Sequence, residues 1–512
     1  MTGFSGKSGF RNTILFGTTL LLMLTANLLT AFGGLFYELA ADMMFAANIV
    51  LNIAIVCDLI PHVRRDFPFL VFVGTYHILL LGRVDVSFLA HYSSILYYLE
   101  AENFYNLFIA LQVVTLSLLC IYAGYRTTGP FFAQREKKIE KNGWAAVSQS
   151  PLLPVIRQMS TIVLFISSLA SFYTLMQSIL NVLRNGYLGS FTQVSAANIP
   201  SVISRLSMFF VPSFAIFLAT MPNRKQLRLP LMVYGVYLLA TLFTGRRNIF
   251  VCEAITILIY FVLRDSLYPK EKRIFKKRSV VGGGIAAVLA MYLLQRLAEI
   301  RAYGLLSHRN FLDTVVNFLY SQGASFRVVI QTVNSWDLFD HSMTWQYLFY
   351  PFELFVHNNQ ITRTLFGLSP IIEVQTRAFA DSTHNYAHAL TYLVDPVRYL
   401  SGGGFGTSFV AESYVAFGFL GVVIVSAVIG LILRFFASMM SRSWVVIASC
   451  LIAIRDFVYI PRSFAFLWVT NVFNLTYLCF YIAIYFAALL VVQLGTHVRP
   501  ARRTAEFGEE KQ

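Results

Sequence analysis

The chain has 512 residues, of which 57% are hydrophobic and only 13% are charged. So much apolar side chain cannot be buried in one soluble core, so a soluble globular protein is excluded and an all-α polytopic membrane protein is predicted. The net charge of +15 comes from Lys and Arg in short loops between apolar segments, which indicates membrane topology rather than nucleic-acid binding.

Long apolar segments predict membrane-spanning helices, because about 20 helical residues cross about 30 Å of hydrocarbon. We expect about twelve of them, at 13–36, 41–60, 67–82, 103–125, 159–183, 203–220, 229–244, 248–263, 279–296, 409–433, 443–454 and 464–492. The eleventh is short and is expected to be tilted or broken. The distribution of Lys and Arg places both termini in the cytoplasm.

Four regions follow from this topology. Residues 1–296 hold helices one to nine with short loops, and 297–408 form a large, partly helical extracytoplasmic loop. Residues 409–498 hold helices ten to twelve, and 499–512 form a cytoplasmic tail. Within the large loop, the pattern over 311–330 predicts a helix that is broken near Gly323.

The two basic residue types are distributed unequally across the membrane. All ten Lys fall on the predicted cytoplasmic side, whereas every basic residue on the opposite side is Arg. The planar guanidinium suits bidentate binding of phosphate or carboxylate, so these arginines are candidate anion ligands. The alternative is that they pair with carboxylates or lipid headgroups on the same side.

Gly245-Arg246-Arg247 follows the seventh predicted helix and begins the eighth. A helix N-terminus offers free N–H groups and a partial positive charge, so two arginines there suit a pyrophosphate clamp. The alternative is that they mark the membrane interface. Glu253 lies two turns further on roughly the same face, where it either supports a site or forms a structural salt bridge.

The end of the large loop carries a carboxylate, histidines and an arginine close together in the sequence. Asp381, His384 and Arg398 lie there, and His384 and His388 are four residues apart, so they can share a helical face. A zinc site would need a third ligand. The five cysteines all lie in predicted spans without metal-ligand spacing, so neither a zinc site nor a disulfide is favoured.

The loop ends in a glycine-rich segment, Gly402 to Gly406, directly before helix ten. Backbone without side chains can approach a sugar or phosphate closely, which makes Gly403 and Gly404 candidate supporting residues. Glu412 lies about one turn into helix ten, where it can accept a proton from an attacking hydroxyl if burial raises its pKa.

Two further arginines, Arg455 and Arg462, flank the outer end of the eleventh helix. They would join Arg246 and Arg247 in one cluster only if helices eight, eleven and twelve are neighbours. The alternative is that Arg455 pairs with the adjacent Asp456.

The motif GGGFGTSFVAESYVAFGFLG followed by RDFVYIPR, the Gly-Arg-Arg after helix seven and the late extracytoplasmic loop together resemble bacterial oligosaccharide repeat-unit polymerases of the Wzy type. The resemblance implies a GT-C-like, metal-independent glycosyltransferase without a cofactor, in the bacterial inner membrane. It would join undecaprenyl-pyrophosphate-linked oligosaccharides into a surface polysaccharide at the outer face. Membrane lipid, a flippase and a chain-length regulator are the implied partners.

The resemblance also suggests roles for the candidate residues. Charge on the pyrophosphate would be stabilised by Arg246, Arg247, Arg455 and Arg462, and less certainly by Arg301 and Arg398. The general base would be Glu412, otherwise His384 or Asp381, with Gly245, Glu253, Gly403 and Gly404 in support. The first outer loop, Phe36 to Asp42, lacks the adjacent or alternating acidic pair of metal-using relatives, which favours chemistry without a divalent ion.

Two other functions use related features. A ligase that moves finished glycan from the same carrier would need nearly the same arginine chemistry and would differ in its acceptor. A transporter of lipid-linked sugars would show internal repeats and broken helices near the bilayer midplane, and the sequence shows neither pattern.

Overall fold

The computed structural model describes residues 6–132, 151–192, 199–267, 282–283, 288–297, 299 and 310–506. These residues form helices and turns and no β-strand, which confirms the all-α prediction. In chain order the α-helices are α1 Gly6–Thr30, α2 Tyr37–Leu59, α3 Phe67–Tyr76, α4 Gly82–Ala90, α5 Ile95–Leu99, α6 Phe104–Thr127, α7 Leu152–Thr192, α8 Ser201–Ser207, α9 Phe210–Ala219, α10 Arg224–Thr241, α11 Arg247–Ser266, α12 Val288–Leu297, α13 Phe311–Gln322, α14 Ser325–Asn334, α15 Trp345–Asn358, α16 Gln360–Phe366, α17 Arg377–Ser382, α18 Tyr386–Val394, α19 Pro396–Leu400, α20 Phe409–Ala437, α21 Trp444–Phe457, α22 Leu467–Val472 and α23 Leu475–Glu506.

Among the described residues, ten helical segments are long and apolar enough to cross a membrane. They coincide with predicted helices one to seven and ten to twelve. The eighth predicted helix is formed as α11, but it carries charged residues and is not among the ten. Of the ninth, the structure describes mainly α12. A polytopic membrane protein is therefore confirmed, whereas the count of twelve remains a prediction.

The chain divides into two compact units. The first unit comprises Met1–Ala133, Phe261–Ser438 and Asp456–Leu467. The second comprises Gln134–Tyr260, Met439–Arg455 and Trp468–Gln512. Each unit combines residues that are distant in sequence, and the four regions predicted from hydropathy stay a prediction.

Helices α6 and α20 form the core of the first unit and pack along much of their length. Small residues allow the two backbones to touch, as is common between membrane helices. A Cβ at Gly124 would lie 2.2 Å from the Ala427 carbonyl oxygen, and one at Gly430 would lie 2.0 Å from that of Ile121. One helical turn before the Ile121–Gly430 contact in both helices, the Ser117 and Ser426 hydroxyls share a hydrogen bond of 2.8 Å.

Two membrane segments are irregular, whereas the sequence showed no broken-helix pattern near the bilayer midplane and suggested a break only in the short eleventh helix. In α20, Phe417 and Gly418 leave the helical conformation, and Gly418 has φ +59° and ψ −147°, a combination that favours glycine. Between α3 and α4, residues His77–Leu81 form a π-helix. Such turns occur often at functional sites, and this one contacts α13, α14 and the 3₁₀ turn Ile460–Arg462.

Candidate active site

Three arginines from distant parts of the sequence meet in the first unit and are called the arginine cluster: Arg83, Arg327 and Arg398. Arg327 Nε lies 2.5 Å and Arg83 Nη1 3.4 Å from the carboxylate of Glu100. The guanidinium carbons of Arg327 and Arg398 lie 4.3 and 5.2 Å from the centre of the Phe405 ring, within cation–π range.

The arginine cluster is positively charged overall. Burial lowers the pKa of Arg327; Arg398 and Arg83 act in the same direction, while Glu100 and Asp395 oppose them. Arginine remains protonated at neutral pH even so. Three guanidinium groups against two carboxylates leave a net charge of +1, which suits an anionic ligand.

Glycines bring the elements of the cluster together. A Cβ at Gly82 would lie 2.7 Å from the Leu319 carbonyl oxygen, and one at Gly323 would lie 2.0 Å from the Arg83 amide nitrogen. Helices α4 and α13 therefore touch through their backbones, which places Arg83 4.6 Å over the Tyr320 ring. As predicted, the helix over 311–330 is broken at Gly323, because α13 ends at Gln322 and α14 begins at Ser325.

Glu100 holds a strained backbone conformation at the centre of the cluster. Its φ of 60° is in the left-handed region, which is unfavourable for a residue with a side chain. Its carbonyl oxygen accepts hydrogen bonds from Asn334 Nδ2 at 3.0 Å and Gln331 Nε2 at 3.4 Å. The helix that carries Arg327 thus also fixes the residue that Arg327 pairs with.

The glycine-rich segment wraps around Arg398. Gly403 donates its N–H to the Arg398 carbonyl oxygen at 2.9 Å, and a Cβ there would lie 2.8 Å from Arg398 Cγ. Gly402 and Gly406 have φ of +89° and +79°, so they form the turns that place Phe405 beside the arginines. Gly404 lies in the same segment, where its Cβ position is 3.8 Å from Thr391 Oγ1.

The two histidines predicted as a pair bind different partners. His384 precedes α18, and its Nδ1 lies 2.7 Å from Glu353 Oε2. The His388 Nδ1 lies 3.0 Å from the Tyr399 hydroxyl, and burial lowers the pKa of His388. The predicted shared helical face is therefore wrong, because the helix begins only at Tyr386.

His384 and Glu353 form a partly exposed acid–base pair, with 37% and 33% of their side chains accessible. Beside it, Glu373 Oε1 accepts hydrogen bonds from the Tyr350 hydroxyl at 2.6 Å and from Asn385 Nδ2 at 2.7 Å. A carboxylate that holds one ring nitrogen of a histidine orients the other nitrogen, as in many general bases.

A short segment joins this acid–base pair to the arginine cluster. Glu373 binds Asn385, the neighbour of His384, while Gln375 Nε2 donates to the Gly403 carbonyl oxygen at 3.0 Å. Two residues span at most ~7 Å. The predicted base His384 and the predicted ligand Arg398 are therefore linked through residues 373–375 of the first unit.

The other two candidate bases have different surroundings. Glu412 is 0% exposed, and its carboxylate accepts from Thr407 Oγ1 at 2.6 Å and from the Ala465 amide at 2.9 Å. Asp381 lies 3.7 Å from Arg377 on the short helix α17, with more than half of its side chain exposed. Glu412 thus joins the start of α20 to the segment after Arg462, and Asp381 lies at the surface.

Of the other predicted arginines, four lie within the described residues: Arg246, Arg247, Arg455 and Arg462. In the second unit, Gly245 has φ +76°, Arg246 is exposed directly before α11, and Arg247 is the first residue of that helix. Arg455 Nη1 lies 3.5 Å from Glu253 Oε1, which is the structural salt bridge that the sequence left open. Arg462 ends a 3₁₀ turn of the first unit, and Arg301 lies outside the described residues.

Over the described part of the chain, no three His, Cys, Asp or Glu side chains meet in a way that could hold a metal ion. Glu38 and Asp42, which the sequence spaces four apart, both accept from the Tyr92 hydroxyl, at 3.2 and 2.6 Å. This carboxylate pair lies at the start of α2 without a third ligand among those residues.

A family model described as O-antigen polysaccharide polymerase Wzy matches residues 13–494. The chain belongs to the Wzy family. No curated protein and no solved structure matches it. Membership confirms the resemblance found in the sequence motifs, and together with the ten apolar segments it identifies an integral inner-membrane protein of polysaccharide biosynthesis.

In this Wzy protein, sequence reasoning missed Arg83, Arg327, Glu100 and Glu353. A signal for the two arginines was present, because both belong to the set of outer basic residues that are all Arg. It did not single them out, since Arg327 pairs with Glu100 and Arg83 stacks on Tyr320, both more than 200 residues away in the chain. Glu353 lies in an aromatic segment that has no catalytic pattern.

Proposed function

We propose that this protein polymerises undecaprenyl-pyrophosphate-linked oligosaccharide repeat units by glycosyl transfer at the outer face of the inner membrane, with a GT-C-like architecture and without a metal ion. The observation that carries the proposal is the arginine cluster, whose net positive charge lies beside the glycine-rich segment and the His384–Glu353 pair. Family membership supports the polymerisation of O-antigen repeat units.

The reaction breaks the bond between an anomeric carbon and the pyrophosphate of the donor. Negative charge then accumulates on the leaving pyrophosphate, and Arg83, Arg327 and Arg398 supply planar donors for it. Donors that are held in place before the reaction stabilise such charge more effectively than water does. Glu100 and Phe405 hold two of these guanidinium groups when no substrate is present.

The acceptor hydroxyl forms the new bond to the anomeric carbon and loses its proton. We assign that proton to His384 Nε2, because Glu353 holds Nδ1 at 2.7 Å and the side chain is accessible. Glu412 is assigned a positioning role instead of the base role, since both carboxylate oxygens are occupied and it has no exposed surface.

Two lipid-linked molecules enter this reaction, one as donor and one as acceptor, and each carries a pyrophosphate. Arg246 and Arg247, at the N-terminus of α11, are proposed to hold the second pyrophosphate. We also propose that both termini lie in the cytoplasm and that the protein works with a flippase and a chain-length regulator.

Arg327→Ala tests the proposed site. It should reduce polymer by about 100-fold or more, as loss of one charge-stabilising donor does elsewhere, and single repeat units on the lipid carrier should accumulate. Arg327→Lys keeps the charge opposite Glu100 but loses the planar fork, so it should retain partial activity. Polymer length on gels, carrier-linked intermediates and membrane abundance are the measurements.

Arg377→Ala is the matched control, because Arg377 lies in the same loop and its side chain is 80% exposed. It should give polymer of normal length. Normal polymer from both Arg327→Ala and Arg398→Ala, at normal abundance, would refute the proposed site.

A further inference from the structure

A polar stripe runs along one face of helix α7. Its members follow one another at spacings of three and four residues, so they share one helical face: Ser167, Ser171, Thr174, Ser178, Asn181 and Asn185. The helix belongs to a predicted membrane span, Leu152–Asn185. Polar residues facing lipid are unfavourable, so a continuous stripe indicates a partner or a polar cavity on that side.

The outer half of the stripe lines a cavity of about 220 Å³ in the second unit. Thr174, Ser178 and Asn181 form one wall, and Thr241, Thr244 and Arg246 contribute from the end of α10 and the turn that follows it. The apolar side chains Leu175, Val182 and Ile249 and the ring of Tyr237 complete the lining. The cavity therefore combines neutral polar groups with apolar patches, and has one cation at its edge.

The hydroxyl groups of this lining already donate to backbone carbonyls. Ser178 Oγ donates to the Thr174 carbonyl oxygen at 3.0 Å, Thr241 Oγ1 to that of Leu238 at 2.6 Å, and Thr244 Oγ1 to that of Thr241 at 2.7 Å. Their oxygens keep lone pairs that accept hydrogen bonds. Such a wall suits a ligand that brings many O–H donors and a few acceptors.

The cavity is small. Its volume of about 220 Å³ is below the range of roughly 300–1,000 Å³ for sites of drug-sized ligands. A single sugar ring, with hydroxyl groups at its rim and C–H groups on its faces, fits both the volume and the mixture of polar and apolar lining.

We propose that this cavity binds one sugar ring of the repeat unit, next to an anionic group that pairs with Arg246. The inference rests on the proposed function, because it assumes a lipid-linked glycan as substrate, and it adds a glycan subsite built from α7 and α10. The anion is either the carrier pyrophosphate or the carboxylate of an acidic sugar, both of which offer a pair of anionic oxygens to the guanidinium.

Binding to the full-length protein in lipid nanodiscs tests the proposal with three probes. They are a short polyprenyl pyrophosphate carrying one sugar, the same polyprenyl pyrophosphate without sugar, and a free disaccharide that contains a uronic acid. Ser178→Leu fills the cavity and should weaken binding of the first probe about tenfold or more, the effect of one or two lost hydrogen bonds. Binding of the second probe should not change.

Gln177→Ala, one position along the same helix and not in the lining, should bind all probes as the unmodified protein does. Arg246→Ala identifies the anion: weaker binding of both pyrophosphate probes assigns it to the carrier, and weaker binding of the uronic acid alone assigns it to the sugar. Equal losses for the first two probes in Ser178→Leu, or no loss for either, would overturn the proposal.

These outcomes separate the subsite from the proposed function. An inactive Arg327→Ala together with unchanged sugar binding in Ser178→Leu refutes only the subsite. Full activity of both Arg327→Ala and Arg398→Ala together with selective loss of sugar binding in Ser178→Leu refutes the proposed active site and retains the subsite.

Discussion

Gly430→Ala should destabilise the first unit, because Gly430 lies where α20 touches α6. The new Cβ would lie 2.0 Å from the Ile121 carbonyl oxygen and 2.7 Å from the Tyr125 amide nitrogen. Ordinary contacts begin at 3.4 Å. Both neighbours are backbone atoms of one helix, so no side-chain rotation relieves the overlap and the helices must separate by more than an ångström.

The magnitude follows from three contributions. Overpacking of this kind typically costs about 1–3 kcal/mol. The Ser117–Ser426 hydrogen bond, one helical turn away at 2.8 Å, would be lost at a cost of about 0.5–1.5 kcal/mol. The better helix propensity of Ala offsets about 1 kcal/mol. The expected net destabilisation is therefore about 1–3 kcal/mol.

The assay is equilibrium unfolding of the purified full-length protein in detergent micelles, with Gly17→Ala as the matched control. Gly17 lies in α1 and no atom lies within 4 Å of its Cβ position, so the same chemical change should be neutral or stabilising by up to about 1 kcal/mol. Equal stability of the two variants would refute the close packing of α6 and α20.

Three further predictions concern buried charge. Burial lowers the pKa of His388 from its ordinary value of 6.5. The unfolded chain therefore binds more protons than the folded protein below that pH, and the folded protein should lose stability as the pH decreases below about 6.5. In His388→Gln the melting temperature should depend less on pH, and an unchanged pH dependence would contradict this prediction. Glu412→Gln can keep both contacts by turning its amide oxygen to the Ala465 N–H and its N–H to the Thr407 hydroxyl oxygen. It should therefore change stability by less than about 1 kcal/mol, and folded molecules should keep their activity; a stable but inactive variant would make Glu412 the base. Glu253→Leu should destabilise the protein more than the double variant Glu253→Leu, Arg455→Leu does, because the single change leaves the Arg455 cation facing an apolar side chain. If the free-energy changes of the two single variants add up to that of the double variant, the two residues are not coupled and the prediction is refuted.

The transmembrane segments were predictable because hydrocarbon thickness imposes a long apolar run on each of them. Among the described residues, helices of this kind form at ten of the predicted runs. The irregular positions were not visible in this pattern, since a π turn at His77–Leu81 and a kink at Gly418 leave the composition unchanged. Hydropathy reports where a helix lies and not whether its backbone is continuous.

The candidate site was predictable only in part. Arg398, His384 and the glycine-rich segment were chosen because chemistry-bearing residues are concentrated near the end of the loop, and the structure links them through residues 373–375. Arg83 and Arg327 join them through backbone contacts at Gly82 and Gly323, which depend on tertiary packing. Burial decided the role of Glu412, and a sequence alone does not show whether a carboxylate already has two donors.

The central claim is that the arginine cluster stabilises charge on a lipid pyrophosphate that leaves during glycan transfer. The most direct measurement uses purified protein in liposomes with a lipid-pyrophosphate-linked repeat unit as the only substrate, and counts released lipid pyrophosphate against glycosidic bonds formed. The account predicts a ladder of products with one lipid pyrophosphate released per bond, and loss of both in Arg327→Ala. A ladder formed without release of lipid pyrophosphate, or one that Arg327→Ala forms at the normal rate, would contradict it.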